Sequence, residues 1–522
     1  MRKIIFLLFV GFAITLSSCR QDFVFNASTG DLTFSKDTIY LDTVFTNIGS
    51  STYTLKVYNR SSKDIKIPTI KLGKATSKYR MTVDGMTGID VDGNGVGDGR
   101  EFREVELLAK DSMYIFIETT AGIADANPTD FLYTDQIQFD SGANLQTVEL
   151  VTLIQDAYFI FPNRENGITE SIPIGVDEDG TVLETHGRNL NHSHPDNGDE
   201  YLFKTDKPYV VYGYASVPNG ETLTIPGGAR VHFHSESGLV VQQGGSLRIT
   251  GDVSATEALE NEVIFEGDRL EPGFSNVPGQ WGTVYLRQGS VNHSIKNLTV
   301  KNAVIGLLVE NNFGTTMTIE NTQIYDCSNV GLLARAAKIE GKNMIINSAG
   351  VSTLACTLGG SYEFKQCTFN NNWSSSRQVA VLVDNYYTDS DTNQQVAFDL
   401  VKADFKNCII FGGNQVELLI NKSTDTSKQF NKLFSKCQIK FNNTNNQFTN
   451  NPDYAFINDT SEIIKNGTVD FQDLFNNKLF IGEDSAGIGF GNDVGVPVDI
   501  LNTPRVIPNI DLGAYQHITF PD

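Results

Sequence analysis

The sequence predicts an all-β protein in which an N-terminal immunoglobulin-like β-sandwich is followed by a right-handed parallel β-helix with a C-terminal cap. Two observations predict this fold class. Residues 32–158 contain about seven runs of alternating apolar and polar residues, separated by Gly, Asn and Ser turns. Residues 297–442 repeat a strand-like pattern with a period near 23 residues, and such a period is typical of a solenoid.

The first 18 residues have the character of an export signal. Arg2 and Lys3 are basic, and residues 4–16 form an apolar run too short to span a bilayer comfortably. The sequence Leu-Ser-Ser-Cys that ends at Cys19 resembles the lipobox of bacterial lipoproteins. This resemblance implies cleavage before Cys19, acylation of its sulfur, and durable anchoring in the outer membrane, with the protein facing either the periplasm or the cell surface. An ordinary secretory signal with a chance Cys is the alternative.

Residues 19–30 are expected to form a polar tether, and residues 31–160 the sandwich. Within the sandwich, segment 42–59 resembles the immunoglobulin-like domains that often precede β-solenoids in Bacteroidetes surface proteins. This resemblance implies a spacer that holds the following domain away from the membrane.

A candidate calcium loop lies at residues 90–101. The segment fits the twelve-residue template, in which hard oxygen ligands converge on one Ca²⁺ and a Gly makes the sharp turn. The residues at the ligand positions are Asp90, Asp92, Asn94, Val96 through its carbonyl, Asp98 and Glu101. The local resemblance to calcium-binding loops implies a structural ion, whereas a solvated acidic hairpin tip explains the same Gly and Asp residues.

Residues 161–216 are predicted to be an irregular connector, because they are rich in Pro, Gly, Asp and His. The β-helix is expected at residues 217–450. From Asn297 onward, a polar residue is followed six times by an apolar-x-apolar pair. The pairs are Leu298/Val300, Thr322/Ile324, Met344/Ile346, Cys367/Phe369, Cys408/Ile410 and Cys437/Ile439.

The first members of these pairs are 24, 22, 23, 41 and 29 residues apart, so the two longer intervals predict coils with an inserted loop. Because strand side chains alternate, we expect both members of each pair to point inward and to stack in columns. Turns are predicted after the pairs, at Asn302, Asp326, Ser348, Asn371 and Gly412, since Asn and Gly tolerate the left-handed backbone of a sharp corner.

Three cysteines share one position of the repeat. Cys367, Cys408 and Cys437 are therefore expected to stack in the core as free thiols, because parallel Cβ vectors disfavour disulfide geometry.

The longest interval contains a loop with paired aromatic and acidic residues. Tyr386 and Tyr387 are suited to stacking on a sugar, and Asp389 and Asp391 to binding its hydroxyls. A solvated loop without a ligand is the alternative.

Residues 451–522 are expected to cap the helix. Asp499 to Arg505 and Asp511 to Gln516 resemble the closing segment of bacterial right-handed β-helix proteins, with Leu512 and Tyr515 as the expected plug of the open end. Residues 222–251 and 279–282 resemble the first coils of such proteins. Together these segments resemble a family of Bacteroidetes lipoproteins with a pectate-lyase-like solenoid, a resemblance that implies the fold and the anchor but no particular activity.

The formal charge of −22 and a pI near 4.7 argue against nucleic acid or an anionic membrane surface as the main ligand. We expect a non-catalytic protein that binds a glycan or a protein partner, or that has a structural role in the envelope, without an organic cofactor. The alternative is a polysaccharide lyase or glycoside hydrolase. The outward candidates for such an enzyme are Asp326, Asp384, Arg335 and Lys338, yet no two carboxylates recur on adjacent coils with a basic partner.

Overall fold

The computed structural model describes residues 24–90, 93, 95–177, 179–312 and 314–520. The chain divides into two compact units, residues 1–156 and residues 157–522. In the described part of the chain, no helix is long and apolar enough to cross a membrane.

The first unit is built from two β-sheets. Its strands are β1 (Asn26–Ala27), β2 (Leu32–Phe34), β3 (Thr38–Phe45), β4 (Tyr53–Asn59), β5 (Ile65–Leu72), β6 (Tyr79–Val83), β7 (Glu101–Leu107), β8 (Ser112–Thr119), β9 (Leu132–Phe139) and β10 (Gln146–Gln155), with 3-10 turns at Ile123–Asp125 and Gly142–Asn144. One sheet has the order β2-β4-β8-β6, and the other has the order β1-β5-β9-β10-β3 with β7 on β5.

The two sheets of the first unit share one hydrophobic core. Alternate residues of the strands point into it, among them Leu55 and Ile115 of one sheet and Ile137 and Leu150 of the other. The order β2-β4-β8-β6 against β5-β9-β10 is the order of strands in immunoglobulin-type domains.

The second unit contains the remaining strands of the described residues. They are β11 (Tyr158–Ile160), β12 (Arg164–Glu165), β13 (Ile168–Thr169), β14 (Ser171–Val176), β15 (Val182–Asn189), β16 (Tyr209–Val211), β17 (Tyr214–Val217), β18 (Thr222–Pro226), β19 (Arg230–Phe233), β20 (Gly238–Val241), β21 (Ser246–Thr250), β22 (Val263–Gly267), β23 (Trp281–Leu286), β24 (Ser294–Lys296), β25 (Leu298–Lys301), β26 (Ala303–Glu310), β27 (Met317–Glu320), β28 (Gln323–Cys327), β29 (Val330–Arg335), β30 (Lys338–Lys342), β31 (Ile345–Ala349), β32 (Ser352–Thr357), β33 (Gly360–Lys365), β34 (Thr368–Asn371), β35 (Val379–Asp384), β36 (Tyr386–Thr388), β37 (Gln395–Ala397), β38 (Leu400–Lys406), β39 (Ile409–Gly412), β40 (Leu418–Asn421), β41 (Leu433–Ser435), β42 (Cys437–Ile439), β43 (Ile463–Lys465), β44 (Phe471–Asp473) and β45 (Lys478–Ile481), with 3-10 turns at Pro272–Phe274 and Pro452–Asn458.

Three long sheets form the sides of a parallel β-helix. The first face has the order β11-β16-β19-β22-β25-β28-β31-β34-β39-β42-β43. The second face is β14-β15-β17-β20-β23-β26-β29-β32-β35-β40, and the third is β18-β21-β24-β27-β30-β33-β38-β41. Except for the antiparallel β14–β15 pair, neighbouring strands of these faces are parallel, as expected when each coil stacks on the one before it.

Strands of the first two faces already begin within residues 161–216, where the sequence predicts an irregular connector. β16 pairs with β19 on the first face, and β17 pairs with β20 on the second. β16 and β17 are only three and four residues long, and the longer β15 (Val182–Asn189) is mostly exposed, so none of them shows a clear alternation of buried and exposed residues.

The predicted ladder is confirmed. Val300, Ile324, Ile346, Phe369, Ile410 and Ile439 are successive partners along the first face. All six side chains are fully buried. The long interval between Cys367 and Cys408 holds the β36–β37 hairpin, as an inserted loop requires.

The predicted corners are confirmed at Asn302, Asp326 and Ser348, whose φ angles are 64°, 53° and 61°. Asn371 and Gly412 instead end strands β34 and β39. The Asn371 side chain joins two adjacent coils: its Oδ1 accepts from the backbone N–H of Ala349, and its Nδ2 donates to the Ala349 carbonyl.

The cysteine prediction is also confirmed. Cys367, Cys408 and Cys437 are free and fully buried, as are Cys327 and Cys356. The backbone N–H of Ile409 donates to the Cys367 carbonyl, so these cysteines lie on adjacent coils. Burial raises the pKa of the Cys367 and Cys437 thiols, which keeps them protonated.

The core at the open end of the helix is closed by residues of the segment 451–522, but not by Leu512 and Tyr515, the two residues that the sequence suggested as the plug. Tyr454 and Ile457, from the 3-10 turn Pro452–Asn458, close the core there. Leu512 packs instead against Ile409, and Tyr515 lies with Tyr325 in a cluster on the outer side of the first face. The C-terminal segment lies on this face because Ile409 and similar residues there are apolar and need a cover.

Candidate binding cleft on the first face

A cleft of about 430 Å³ lies on the outer side of the first face. Its floor is formed by outward-facing residues of β25 and β28. One wall is the loop at residues 254–259, and the other is the turn between β44 and β45. This volume falls within the usual range for small-ligand sites, which is about 300–1,000 Å³.

The floor is a network of polar side chains. The Thr299 hydroxyl donates to Glu262 Oε2 at 2.8 Å, and Gln323 Nε2 donates to the same oxygen at 3.3 Å. The Tyr325 hydroxyl donates to Gln323 Oε1 at 2.6 Å, which fixes the orientation of the amide. Thr299 and Gln323 are partners on adjacent coils, so the parallel register itself brings these groups together.

Glu262 is the most deeply placed carboxyl group of the cleft. Its side chain is 5% exposed, and burial raises its pKa, while the hydrogen bonds from Thr299 and Gln323 oppose that rise. A carboxyl group with a raised pKa is one that can donate a proton to a ligand.

The loop wall is held at its base by Arg230 of β19. Its guanidinium donates to the carbonyl oxygens of Glu262 at 2.8 Å and Leu259 at 2.7 Å. Within the loop, the Glu260 carboxylate accepts from the backbone N–H of Ala255 and from the Thr256 hydroxyl, each at 2.7 Å. The loop therefore has a defined shape although most of its residues are exposed.

The turn wall is fixed to the first face by amide side chains. Asn477, in the left-handed region with φ 56°, donates to Asp326 Oδ2 at 2.7 Å. Its Oδ1 accepts from Asn347 Nδ2 at 2.7 Å. Asn347 in turn accepts from Asn370 Nδ2 at 2.7 Å, so one chain of amides ties the turn to successive coils.

The closing motif holds the rest of the C-terminal segment. Arg505 is 6% exposed, and it donates to Asn343 Oδ1 at 2.9 Å and to the carbonyl oxygens of Gly513 and Ala514. The Asp499 carboxylate accepts from the backbone N–H of Gln516 at 3.0 Å. These contacts place Tyr515 against Phe480, with 4.3 Å between ring centres, at the aromatic side of the cleft.

The charged groups of the cleft are largely balanced. Lys478 of the turn wall pairs with Glu257 of the loop wall at 3.1 Å, so one ion pair joins the two walls. Lys301 on the floor lies 3.8 Å from a carboxylate oxygen of Glu266. With both lysines paired to carboxylates, the cleft presents mainly hydrogen-bonding groups and aromatic rings.

The loop predicted to bind a glycan forms the β36–β37 hairpin. Tyr387 is 45% exposed and stacks on Phe398 at 6.1 Å between ring centres. Asp389 accepts from the backbone N–H groups of Asp391 and Thr392 at its tip, and these bonds lower its pKa. Tyr386 is half-buried at the base of the hairpin. The hairpin lies between β35 of the second face and β38 of the third face, whereas the cleft floor is formed by β25 and β28 of the first face on earlier coils.

The candidate calcium loop is described only in part, since Asp92 and Asn94 lie outside the described residues, as does Cys19. Asp90 accepts from the backbone N–H groups of Gly93 and Gly95, each at 2.7 Å, and Glu101 begins β7 and pairs with Arg103 at 2.8 Å. Val96 and Asp98 lie in the same loop. Among the described residues, no group of three or more His, Cys, Asp or Glu side chains is arranged to hold a metal ion.

The outward residues considered for catalysis are not brought together. Asp326 is in β28 of the first face, whereas Arg335 and Asp384 are on the second face and Lys338 is on the third. Sequence reasoning missed Glu262, Thr299 and Gln323. The available signal for Thr299 and Gln323 was that each is a polar residue between the two members of a pair, where a strand side chain points outward, whereas Glu262 lies outside the pairs.

No family model matches the chain, and no curated protein matches it. Among solved structures, the catalytic unit of a thermostable GH87 α-1,3-glucanase from Streptomyces thermodiastaticus strain HF3-3 is 10% identical, with a TM-score of 0.22, over 74% of this chain and 77% of that chain. A family 123 glycoside hydrolase from Clostridium perfringens is 6% identical, with a TM-score of 0.18, over 24% of this chain and 27% of that chain. The PapD-like domain 7 of human CEP192 is 14% identical, with a TM-score of 0.15, over 27% of this chain and 96% of that chain. The chain thus spans about a quarter of the family 123 hydrolase, and TM-scores this low carry no argument about function.

Proposed function

We propose that this protein binds a neutral oligosaccharide in the cleft of the first face. The observation that carries the proposal is the combination of an aromatic side, formed by Tyr515 and Phe480, with a floor of oriented polar groups. Sugars present flat C–H faces that pack on aromatic rings and hydroxyl groups that bond to amides, carboxyls and hydroxyls. The paired lysines favour a neutral sugar over an acidic one, because neither ammonium group is without a carboxylate partner.

The position of the protein in the cell is part of the proposal. Acylation of Cys19 would hold the chain at the outer membrane, and the first unit would act as a spacer. The motif at residues 16–19 supports the anchor, and the separate core of the first unit supports a module that folds as its own body.

Binding is tested by screening the purified chain against an array of neutral oligosaccharides and titrating the best ligand by calorimetry. Lys301→Ala removes an ammonium group from the cleft floor and is expected to weaken binding about tenfold, the equivalent of about 1.4 kcal/mol. Lys296→Ala is the matched control, because Lys296 is an exposed lysine of the third face on the same coil. Equal affinity of the two variants, or no neutral ligand on the array, contradicts the proposal.

Glycoside hydrolysis is a second candidate function, favoured by Glu262 alone. A hydrolase needs a general acid with a raised pKa and a second carboxylate about 5–9.5 Å away, and Glu257 is the other carboxylate of the lining. The release of reducing sugar from the bound oligosaccharide, abolished in Glu262→Gln, would establish an enzyme. Unchanged oligosaccharide after long incubation would leave binding as the function.

A further inference from the structure

The four-stranded sheet of the first unit has an aromatic and cationic outer surface. Tyr114 and Phe116 alternate with buried Met113, Ile115 and Ile117 along β8, and they are 47% and 42% exposed. Their ring centres are 6.4 Å apart, and the two ring planes differ by 18°. Exposed apolar side chains that adjoin one another on a sheet face are one mark of an interaction site.

Two cations lie among these rings. Lys56, which is opposite Tyr114 on β4, has its ammonium 5.0 Å from the centre of the Tyr114 ring and 5.4 Å from that of Tyr58. The Arg60 guanidinium lies 4.1 Å from the centre of the Tyr58 ring. We call the surface formed by Lys56, Tyr58, Arg60, Tyr114 and Phe116 the aromatic platform.

Neither cation of the aromatic platform is neutralised by a carboxylate. In the described part of the chain, no ion pair includes Lys56 or Arg60. Two acidic residues border the platform. Glu118 is bonded to the Thr52 hydroxyl and lies 2.7 Å from Arg80, and these two contacts lower its pKa. Asp84 lies beside Tyr114, to whose carbonyl oxygen its backbone N–H donates at 3.0 Å. In a chain with a formal charge of −22, these two cations are available to an anionic ligand.

We propose that the aromatic platform binds a short acidic oligosaccharide, independently of the cleft on the first face. The rings would pack on the C–H faces of successive sugars, and the ammonium and guanidinium groups would pair with their carboxylates. The Lys56 ammonium lies between the Tyr58 and Tyr114 rings, and the Arg60 guanidinium lies over the other side of the platform at Tyr58. This alternation of rings and cations matches a chain of sugars in which each apolar ring face is followed by a carboxylate. Nucleic acid is a poorer ligand, because its denser charge is repelled by the acidic remainder of the chain.

The proposal is tested by calorimetric titration of the full chain with a tetrasaccharide of galacturonic acid and with its methyl ester, which keeps the sugar faces and removes the charge. We expect the acid to bind at least tenfold more tightly than the ester. Lys56→Gln with Arg60→Gln should abolish this preference, and Tyr114→Ala should weaken the binding of both ligands about tenfold.

Tyr40→Ala is the matched control, since Tyr40 is a 67% exposed tyrosine on β3 of the other sheet. It should bind as the unchanged protein does. All of these side chains are at least partly exposed, so thermal unfolding serves as a check that each variant is folded. Equal affinity for acid and ester, equal loss in Tyr114→Ala and Tyr40→Ala, or displacement of the tetrasaccharide by polyglutamate at equal charge would overturn the proposal.

Discussion

Arg505 shows how one side chain can determine the shape of a site that it does not enter. Its guanidinium joins Asn343, in the corner before a strand of the first face, to the carbonyl oxygens of Gly513 and Ala514. Because Tyr515 follows directly, the aromatic side of the cleft depends on this buried contact. The charge of Arg505 is compensated by nearby Asp499 and Asp511, although burial lowers its pKa to about 10.

Glu417 is a buried carboxyl group whose titration is expected to affect stability. Burial raises its pKa from the ordinary 4.5 to about 7, while backbone N–H groups of Asn414 and Ala380 oppose the rise. The folded chain therefore keeps this proton to a higher pH than the unfolded chain does. The contribution of Glu417 to stability is fully present below pH 4.5 and is lost as the pH rises through 7.

We predict that Glu417→Gln reduces the pH dependence of stability. Between pH 5 and pH 8, the free energy of unfolding of the unchanged protein should fall relative to that of the variant by an amount on the order of 2 kcal/mol. Denaturant titrations of both proteins at the two pH values give this difference. The same slope with pH in both proteins would show that Glu417 titrates normally.

Some positions of single residues in the β-helix could be predicted from the sequence, and others were missed. The Ile324 and Ile346 positions were predictable, because side-chain alternation and a repeat of fixed length are local properties of the chain. The corner residues Asn297, Asn321, Asn343, Gln366, Asn407 and Lys436, all with φ between 48° and 55°, form a second column that was not predicted. The signal was present, since each of these residues directly precedes an apolar pair.

At the scale of elements, the C-terminal segment differs most from its prediction. Its beginning closes the open end through Tyr454 and Ile457, whereas its later part covers the outer side of the first face. The contacts of that later part join residues more than 100 positions apart, such as Asn477 with Asp326. Such pairings leave no periodic signal in the sequence. Ile345 and Ile409 do indicate that another segment covers this face, because they are apolar at outward positions where an exposed strand would have polar residues.

The loop at residues 90–101 gives a prediction for a single element. If it binds calcium, then millimolar Ca²⁺ should raise the melting temperature of the first unit, and Asp90→Ala with Glu101→Ala should remove this effect. The affinity of extracellular sites of this type is about 10⁻⁴–10⁻³ M. Calorimetry with Ca²⁺, and with Mg²⁺ as the control, measures it, and the absence of heat at millimolar Ca²⁺ would favour a solvated hairpin tip.

At the scale of the whole molecule, the parallel β-helix is held by the columns inside it. Ile346 is fully buried between Ile324 and Phe369, and its burial contributes about 1.5–3 kcal/mol. We predict that Ile346→Asp prevents cooperative folding of the second unit, because it also places a charge in an apolar core. Lys296→Asp, at an exposed position of the third face, is the control. Equal melting temperatures of the two variants would show that Ile346 does not point into the core.

The proposed anchor gives a further prediction for the whole molecule. Cys19→Ser should move the protein from the membrane fraction to the soluble fraction and should abolish the incorporation of labelled palmitate. A protein that keeps its membrane association without Cys19 would be attached in another way.

Hydrogen exchange with and without the bound neutral oligosaccharide tests the central claim, that the ligand lies in the cleft of the first face. We predict slower exchange at residues 254–262, 298–301, 323–325 and 474–480, with no change in the β36–β37 hairpin. Protection confined to that hairpin or to the first unit would contradict the claim.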